Sequence, residues 1–504
     1  MRNKQAFKNM LSNIILQVII SISGIILPRF FIAGYGSEMN GLISSINQFI
    51  TYMGLVEAGI GSAAIVSLYK PLADKDHYRI NRILSGAKRF YFKSGYIFLS
   101  LVVALIIFYP MLRNNSIDSW VVRWMILILA GSGIVDYFLL GKYRVLLTAD
   151  QRSYVITSAQ SIGTILNTVI TIGLIQIHAN VLLVKLVATL VYVLRFIIIY
   201  AYARRHYTYI NFREKPDKNA FKQRWDVLAH QISNMVVSNT DMITLTVFGG
   251  AKALLEVSVY SVYNLVGYAL FSLMNAFNSG LTASFGEIIS KGEKKTLENT
   301  FSNYEYMYFT LQSICYTCMS ILILPFVSVY TAGITDAVYV RPVVAAMFCV
   351  IGYAQTIRTP GLTIICAAGH YTQTRNRALL EAAINLVVSI ALVRPLGMVG
   401  VLIGTICSYA YRSVDIIIYN ARYLVKGTMK KTLERIIRNL LTAVAVITVM
   451  LMITPSLMTS WTQWFLYAVL TGVVTSAVFG VVNFIFEPQQ FKMLLNRLKS
   501  IFTR

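Results

Sequence analysis

The sequence predicts an all-α integral membrane protein of about fourteen transmembrane helices, built as two pseudo-symmetric six-helix bundles plus two C-terminal helices. Three observations carry this reading. Of the 504 residues, 56% are hydrophobic and only 13% charged, half the charged share usual in soluble domains. Apolar runs near the roughly 20 residues that a bilayer core requires recur along the whole chain. The sequence also matches itself at an offset of 217 residues.

The runs lie at about 11–33, 40–69, 94–112, 120–147, 153–176, 181–203, 227–249, 255–285, 304–327, 339–366, 378–397, 398–420, 438–456 and 463–486. They are too long and too evenly apolar for barrel strands, and helices satisfy every backbone group in lipid. The first run follows the basic stretch "MRNKQAFKNM" and has no small-residue cleavage site, so it is read as a retained span rather than a signal peptide. The polar stretch 204–226 reads as a linker between bundles 1–203 and 227–437, and 438–504 holds the two extra helices and a basic tail.

Most Lys and Arg residues fall in alternate loops. These include "KPLADKDHYRINRILSGAKRFYFK" (70–93), the 204–224 stretch and "RYLVKGTMKKTLERIIR" (422–438). The opposite loops "GYGSEMN" (34–40) and "TAGITDA" (331–337) have none. The positive-inside rule then places both termini in the cytoplasm. Trp120, Trp124, Trp461, Trp464 and Trp225 sit at run ends, as interfacial anchors do. The net charge of +24 is spread over these loops, which argues against nucleic acid as a partner. Five cysteines lie in apolar runs and form no disulfide framework; Cys315 and Cys318, a CxxC inside a helix, read as packing.

The 217-residue offset pairs Leu11 with Leu228, Ser44 with Ser261, Asn47 with Asn264, Ser85 with Ser302 and Tyr91-Phe92 with Tyr308-Phe309. Spans and loops stay in register over about eighty residues, which describes a parallel repeat. The repeat aligns polar stripes too. In the seventh run His230, Asn234, Ser238 and Asp241 share one helical face, matching Asn13, Gln17, Ser21 and Gly24 in the first. In the eighth run Asn264, Tyr268, Phe271, Asn275 and Asn278 share a face, matching Asn47, Thr51, Gly54, Ala58 and Gly61. Such stripes face protein or water rather than lipid, either lining a cavity or bonding helix to helix. The small residues thin one face of the second helix, and Glu57 borders it.

Other ionisable groups lie within runs: Arg29, Asp136, Lys185, Arg195, Asp241, Arg358 and Arg394. Each costs roughly 2.5–3.5 kcal/mol at the bilayer centre and so needs a reason. Lys185, Arg394 and Arg29 lie near run ends, where snorkelling suffices. Arg195 and Arg358 are deeper and imply a cavity or a buried ion pair, with Glu57, Asp136 and Asp241 as available partners. Arg358 precedes Pro360 and Gly361, which predicts a helix kink; a guanidinium there can grip a phosphate, or the kink can serve packing alone.

The stretch Tyr35–Asp76 contains Asn40-Gly41-Leu42 and Gly59-Ile60-Gly61 ahead of a basic loop. It resembles the polysaccharide-transporter branch of the multidrug/oligosaccharidyl-lipid/polysaccharide exporter superfamily, the bacterial flippases for O-antigen, capsule and similar repeat units. The resemblance implies two bundles around a central cationic cavity and passage of an undecaprenyl-pyrophosphate-linked oligosaccharide from inner to outer leaflet. It implies a headgroup role for arginines, carried here to Arg29, Arg195, Arg358 and Arg394, with polar cavity walls at Asn13, Gln17, Asn47, His230, Asn234, Asp241, Asn275 and Asn278. Glu57, Asp136 and Asp241 are the candidates for coupling to H+ or Na+.

The expected function is therefore a lipid-linked oligosaccharide flippase working by alternating access in the bacterial inner membrane. It is read as no enzyme, with no cofactor or metal. Its expected partners are the glycolipid, membrane lipids and polysaccharide polymerase or assembly proteins. Three alternatives stand beside it. A cation-coupled multidrug exporter of the same superfamily would want a carboxylate-dominated site. A multi-span glycosyltransferase or polymerase would need a substantial external loop. A non-transporting scaffold would pair its charges in a dry interior.

Overall fold

The computed structural model describes residues 2–57, 60–112, 117–215, 224–278, 281–455 and 457–493. Ala58, Gly59, Ser279, the later part of the linker and the end of the tail lie outside them, as do the side chains of His230 and Asn234. Among the described residues every regular element is helical. Among the described residues eleven helices are long and apolar enough to cross a membrane, and each of the fourteen apolar runs contains helix, as expected of a multi-pass membrane protein. Of the other three runs, one is joined to the first, one has a short apolar part (Met235–Phe248) and one is broken at Arg358. Contacts divide the chain into two units, 1–258 and 259–504.

The first unit opens with α1, Arg2–Met53, in which only Gly36 leaves helical geometry (φ 84°, ψ 165°). The loop that the sequence suggests at 34–40 is shortened to a break between two helices at Gly36, whose missing Cβ permits that positive φ. A 3-10 turn, Gly54–Glu57, separates α1 from α2 (Ile60–Ala73). The second run is thus broken rather than continuous, so Gly54 and Gly61 do not continue the Asn47 face of one helix. Then come α3 (His77–Phe108), α4 (Ser119–Val135), a π turn (Asp136–Leu140), α5 (Gly141–Ala149), α6 (Ser153–Gln176), α7 (Val181–His206), α8 (Arg224–Phe248) and α9 (Ala253–Asn278), which runs on into the second unit.

Helix α3 begins well before the apolar run at 94–112. Asp76 caps it by accepting the Arg79 N–H at 2.9 Å. Its first turns are amphipathic: Ile80, Ile83, Leu84, Ala87 and Tyr91 are buried at helical spacing, while charges occupy the other face. The start of the polar stretch after α7 is also held in place. Asn81 donates to the Tyr209 carbonyl at 3.0 Å and accepts from the Asn211 N–H at 3.0 Å. The Tyr207 hydroxyl donates to Asp150 at 2.5 Å, and Arg152 pairs with the same carboxylate at 2.8 Å. Burial and the Asp150 charge both push the Tyr207 phenol above its ordinary value.

The Asn40-Gly41-Leu42 motif marks a close crossing within this unit. Asn40 donates to Ser258 at 2.9 Å, and Leu42 is buried. A Cβ at Gly41 would run into the Leu254 carbonyl. We expect Gly41→Ala to cost about 1–3 kcal/mol by overpacking. A lowered thermal midpoint in detergent checks this; an unchanged one removes the crossing as a tight contact.

The second unit continues from α9 through α10 (Leu281–Ser290), α11 (Lys294–Tyr330), α12 (Pro342–Ile357), α13 (Thr359–Ala367), α14 (Tyr371–Leu396), α15 (Met398–Tyr423), α16 (Met429–Ile453) and α17 (Trp461–Phe486). The predicted kink is present: α12 ends at Ile357 and α13 starts at Thr359, with Arg358 between them. The repeat is visible in the element bounds. Shifted by 217, His77 at the start of α3 meets Lys294 at the start of α11, and the ends of α7 meet those of α15. The π turn after α4 falls at the level of the α12–α13 break.

Candidate functional site

In each unit the charges gather where the fourth helix of the repeat is irregular. In the first unit the 3-10 turn presents Glu57 and the π turn begins with Asp136. Irregular turns leave carbonyls without helical partners. The Ser94 hydroxyl takes that of Val56 at 3.2 Å, and the Tyr137 hydroxyl takes that of Gly54 at 3.3 Å. Arg144, one turn into α5, then bridges the two carboxylates. Its Nη2 lies 2.5 Å from Glu57 Oε1 and its Nη1 3.2 Å from Asp136 Oδ2. The Tyr91 hydroxyl donates to Glu57 Oε1 at 2.7 Å. The side chains of Glu57, Asp136 and Arg144 keep 24%, 40% and 36% of their exposure, so this triad is open to small ions.

In the second unit the pairing is drier and more extensive. Arg358, at the break, pairs with Glu381 of α14. Arg412 of α15 reaches the same carboxylate at 3.5 Å and Asp415 at 2.6 Å, and Arg377 also pairs with Asp415. The Arg412 side chain is 3% exposed and that of Glu381 7%. Arg358 also stacks on Tyr409, 4.5 Å from the ring centre. Asn278, a predicted wall residue, accepts from Tyr304 at 2.6 Å and Thr363 at 3.0 Å, tying α9 to α11 and α13.

Arg195 and Arg412 are repeat equivalents, 217 residues apart. Both reach back to the preceding long helix at one level. Arg412 finds Glu381 there; Arg195 finds Thr164 at 3.2 Å, the Gln160 carbonyl at 3.5 Å and the flank of Gly163. The Arg195 Nε is buried with no hydrogen-bond partner, and the guanidinium lies 4.4 Å from the Tyr192 ring centre. Among the described residues no carboxylate comes within ion-pair distance of it. Arg195 is therefore a half-buried positive group held by a hydroxyl and a carbonyl, its Nε packed against Gly163.

The sequence offers Glu57, Asp136 and Asp241 as partners for Arg195 and Arg358. The structure corrects this: Glu57 and Asp136 are held by Arg144, and Arg358 by Glu381. Arg144 and Glu381 lie within a turn of run ends, where a charge needs no special explanation from sequence. Arg412 follows from the sequence once the 217 offset is carried on to the sixth run, where it meets Arg195.

The other predicted residues are dispersed. Arg394 is exposed in the last turn of α14. Arg29 and Gln17 are half-buried in α1 and interact with further groups. Asn13 and Asn47 are exposed on α1, and Asn275 is exposed on α9. Asp241 is buried on α8. His230 and Asn234 lie on α8 with side chains outside the description. Lys185 sits over the Phe31 ring at 3.8 Å.

No protein-family model matches the chain, and no curated protein matches it. Solved structures do. The lipid II flippase MurJ in an inward-closed conformation matches with a TM-score of 0.67 and 15% identity, over 94% of this chain and 99% of that one. An inward-facing multidrug resistance MATE transporter of the MOP superfamily matches with a TM-score of 0.54 and 14% identity, over 84% of this chain and 96% of that one. The Vibrio cholerae MATE transporter VcmN, as a point mutant, gives 0.55 and 13% identity over 84% of this chain and 98% of that one. The chain thus has the fold of multidrug/oligosaccharidyl-lipid/polysaccharide exporter superfamily transporters, shared with a lipid II flippase and with multidrug exporters.

Proposed function

We propose that this protein is a flippase that moves undecaprenyl-pyrophosphate-linked repeat units from the inner to the outer leaflet by alternating access, for export of cell-surface polysaccharide. The single observation that carries this reading is Arg195, a half-buried guanidinium at membrane depth with no carboxylate within ion-pair distance among the described residues. A pyrophosphate is the ligand such a group suits, because it accepts several charge-assisted hydrogen bonds at once. The extent of the fold likeness supports the choice of a lipid-linked cargo. It spans 94% of the chain with the lipid II flippase but 84% with each of the two multidrug transporters named above. The difference is of the order of α16 and α17 together, which have 25 and 26 residues.

In this reading Arg195 holds the headgroup, Arg29 and Arg394 assist, and Arg358 positions the α12–α13 break through Glu381. The Glu57–Arg144–Asp136 triad takes the coupling role, exchanging an ion pair for H+ or Na+ during the cycle. Both termini face the cytoplasm of a bacterial inner membrane, and the six-plus-six-plus-two partition frames the movement. Polymerase or assembly proteins would receive the flipped unit.

The test is reconstitution in vesicles with a fluorescent lipid-linked glycan, its leaflet read by an impermeant quencher. The purified wild type should flip the glycan. Arg195→Ala should abolish flipping while the variant still inserts and folds, and Arg195→Lys should restore only part of it, because an ammonium lacks the planar fork. Wild-type flipping by Arg195→Ala would end this assignment. Efflux of organic cations by the wild type, with no glycan flipping, would instead establish the multidrug reading.

A further inference from the structure

The basic end of α16 and the end of α17 form a groove that the transport reading does not use. Its volume is about 1020 Å³, and Lys430, Lys431, Arg435 and Arg438 line it against two carboxylates, Glu434 and Glu487. Its floor is built. Arg435, 1% exposed, is held between Glu305 at 3.0 Å and Glu487 at 2.5 Å and donates to the Ser302 carbonyl at 2.8 Å. Arg438 gives its Nη2 to Glu487 at 2.9 Å and Asn483 at 3.3 Å. Burial works to raise the Glu487 carboxyl, but Arg435 and Arg438 together hold it below its ordinary value, so it stays an anion committed to the floor.

The rim is held loosely. Lys430 is 89% exposed and makes only a long, exposed ion pair with Glu434 at 3.9 Å, and Lys431 has no partner among the described residues. The Arg438 Nη1 makes no hydrogen bond among them either. Directly beyond these cations the wall turns apolar: Ile437, Leu441 and Phe486 are 56%, 65% and 64% exposed. Cations at one end and bare hydrocarbon along the next turns match one molecule, an anionic phospholipid. A soluble phosphate would use only the cations, and a neutral phospholipid only the wall.

We propose that this groove is a binding site for an anionic phospholipid. The phosphodiester lies between Lys430, Lys431 and the outer edge of Arg438, and an acyl chain runs along Ile437, Leu441 and Phe486. The lipid would brace α16 against α17 at the membrane surface. The proposal does not depend on the cargo, so it can stand or fall separately from the flippase reading.

The test uses the full purified chain in detergent, titrated with phosphatidylglycerol or phosphatidylcholine and followed by native mass spectrometry. Wild type should retain phosphatidylglycerol over phosphatidylcholine. Lys430→Gln and Lys431→Gln should each weaken that retention about fivefold, the equivalent of ~1 kcal/mol per basic residue near an anionic surface. Both lysines are exposed, so the variants fold. A control pair, Lys294→Gln with Lys295→Gln, alters exposed lysines elsewhere and should leave retention unchanged. Equal loss in the control, no loss in the groove variants, or displacement of the lipid by glycerol phosphate would each overturn the site.

Discussion

Glu381→Ala should lower the stability of this protein by about 3–5 kcal/mol, because it leaves buried guanidinium groups without their counter-ion. Glu381 is the shared acceptor of Arg358 and Arg412, whose side chains are 10% and 3% exposed. Water cannot replace the carboxylate at that depth. Asp415 would be left facing Arg412 and Arg377, with Arg358 unpaired at the α12–α13 break. The measurement is the thermal midpoint of the purified protein in one detergent, with expression yield beside it. Glu381→Gln should fall between wild type and alanine, since an amide keeps a hydrogen bond but not the charge. The decisive comparison is Glu381→Leu with Arg358→Met. Replacing both partners with apolar groups is often near neutral, whereas removing one is not. A single alanine variant as stable as wild type would mean that Arg358 reaches water, and the dry account of this cluster would fail.

The second large effect concerns transport. Arg144→Ala should slow glycolipid flipping about tenfold or more, a barrier increase of at least ~1.4 kcal/mol. Arg144 joins two irregular segments by one side chain, 2.5 Å from Glu57 and 3.2 Å from Asp136. Without it two carboxylates face one another with only Tyr91 as a donor. The triad is partly exposed, so the loss should register in flipping more than in folding. If the charge balance is what matters, Arg144→Ala combined with Asp136→Asn should recover part of the rate, and the double-mutant cycle should show coupling. Additive losses, or a shift of the thermal midpoint as large as that of Glu381→Ala, would reduce the triad to a structural brace. Vesicle flipping with and without a pH or sodium gradient reads the coupling itself.

The places where sequence reasoning fell short share a physical cause. It placed a seven-residue loop at 34–40, where the connection proves shorter: two helices meet at Gly36, the one residue there that leaves helical geometry. It began the third span at 94, because charged residues mask the buried face Ile80, Ile83, Leu84 and Ala87. Nor does anything local show that Asn81, far away in the chain, holds 209 and 211 at the start of the polar stretch. The ion partners were misassigned for the same reason. Depth along a helix is readable from position, but which neighbour a charge meets depends on helix rotation and on breaks such as the π turn at 136–140.

By itself the sequence determined the membrane class, the number and positions of the apolar spans, the 217-residue repeat and the kink at Arg358. All of these follow from local composition, periodicity and backbone chemistry, which a linear string carries in full. Only the tertiary structure decided that Glu57 and Asp136 share Arg144, that Arg358 is spent on Glu381, and that Arg195 meets a hydroxyl and a carbonyl rather than a carboxylate. Those outcomes turn on angstrom-scale distances between helices far apart in the chain, where one residue of rotation moves a charge from partner to solvent or lipid.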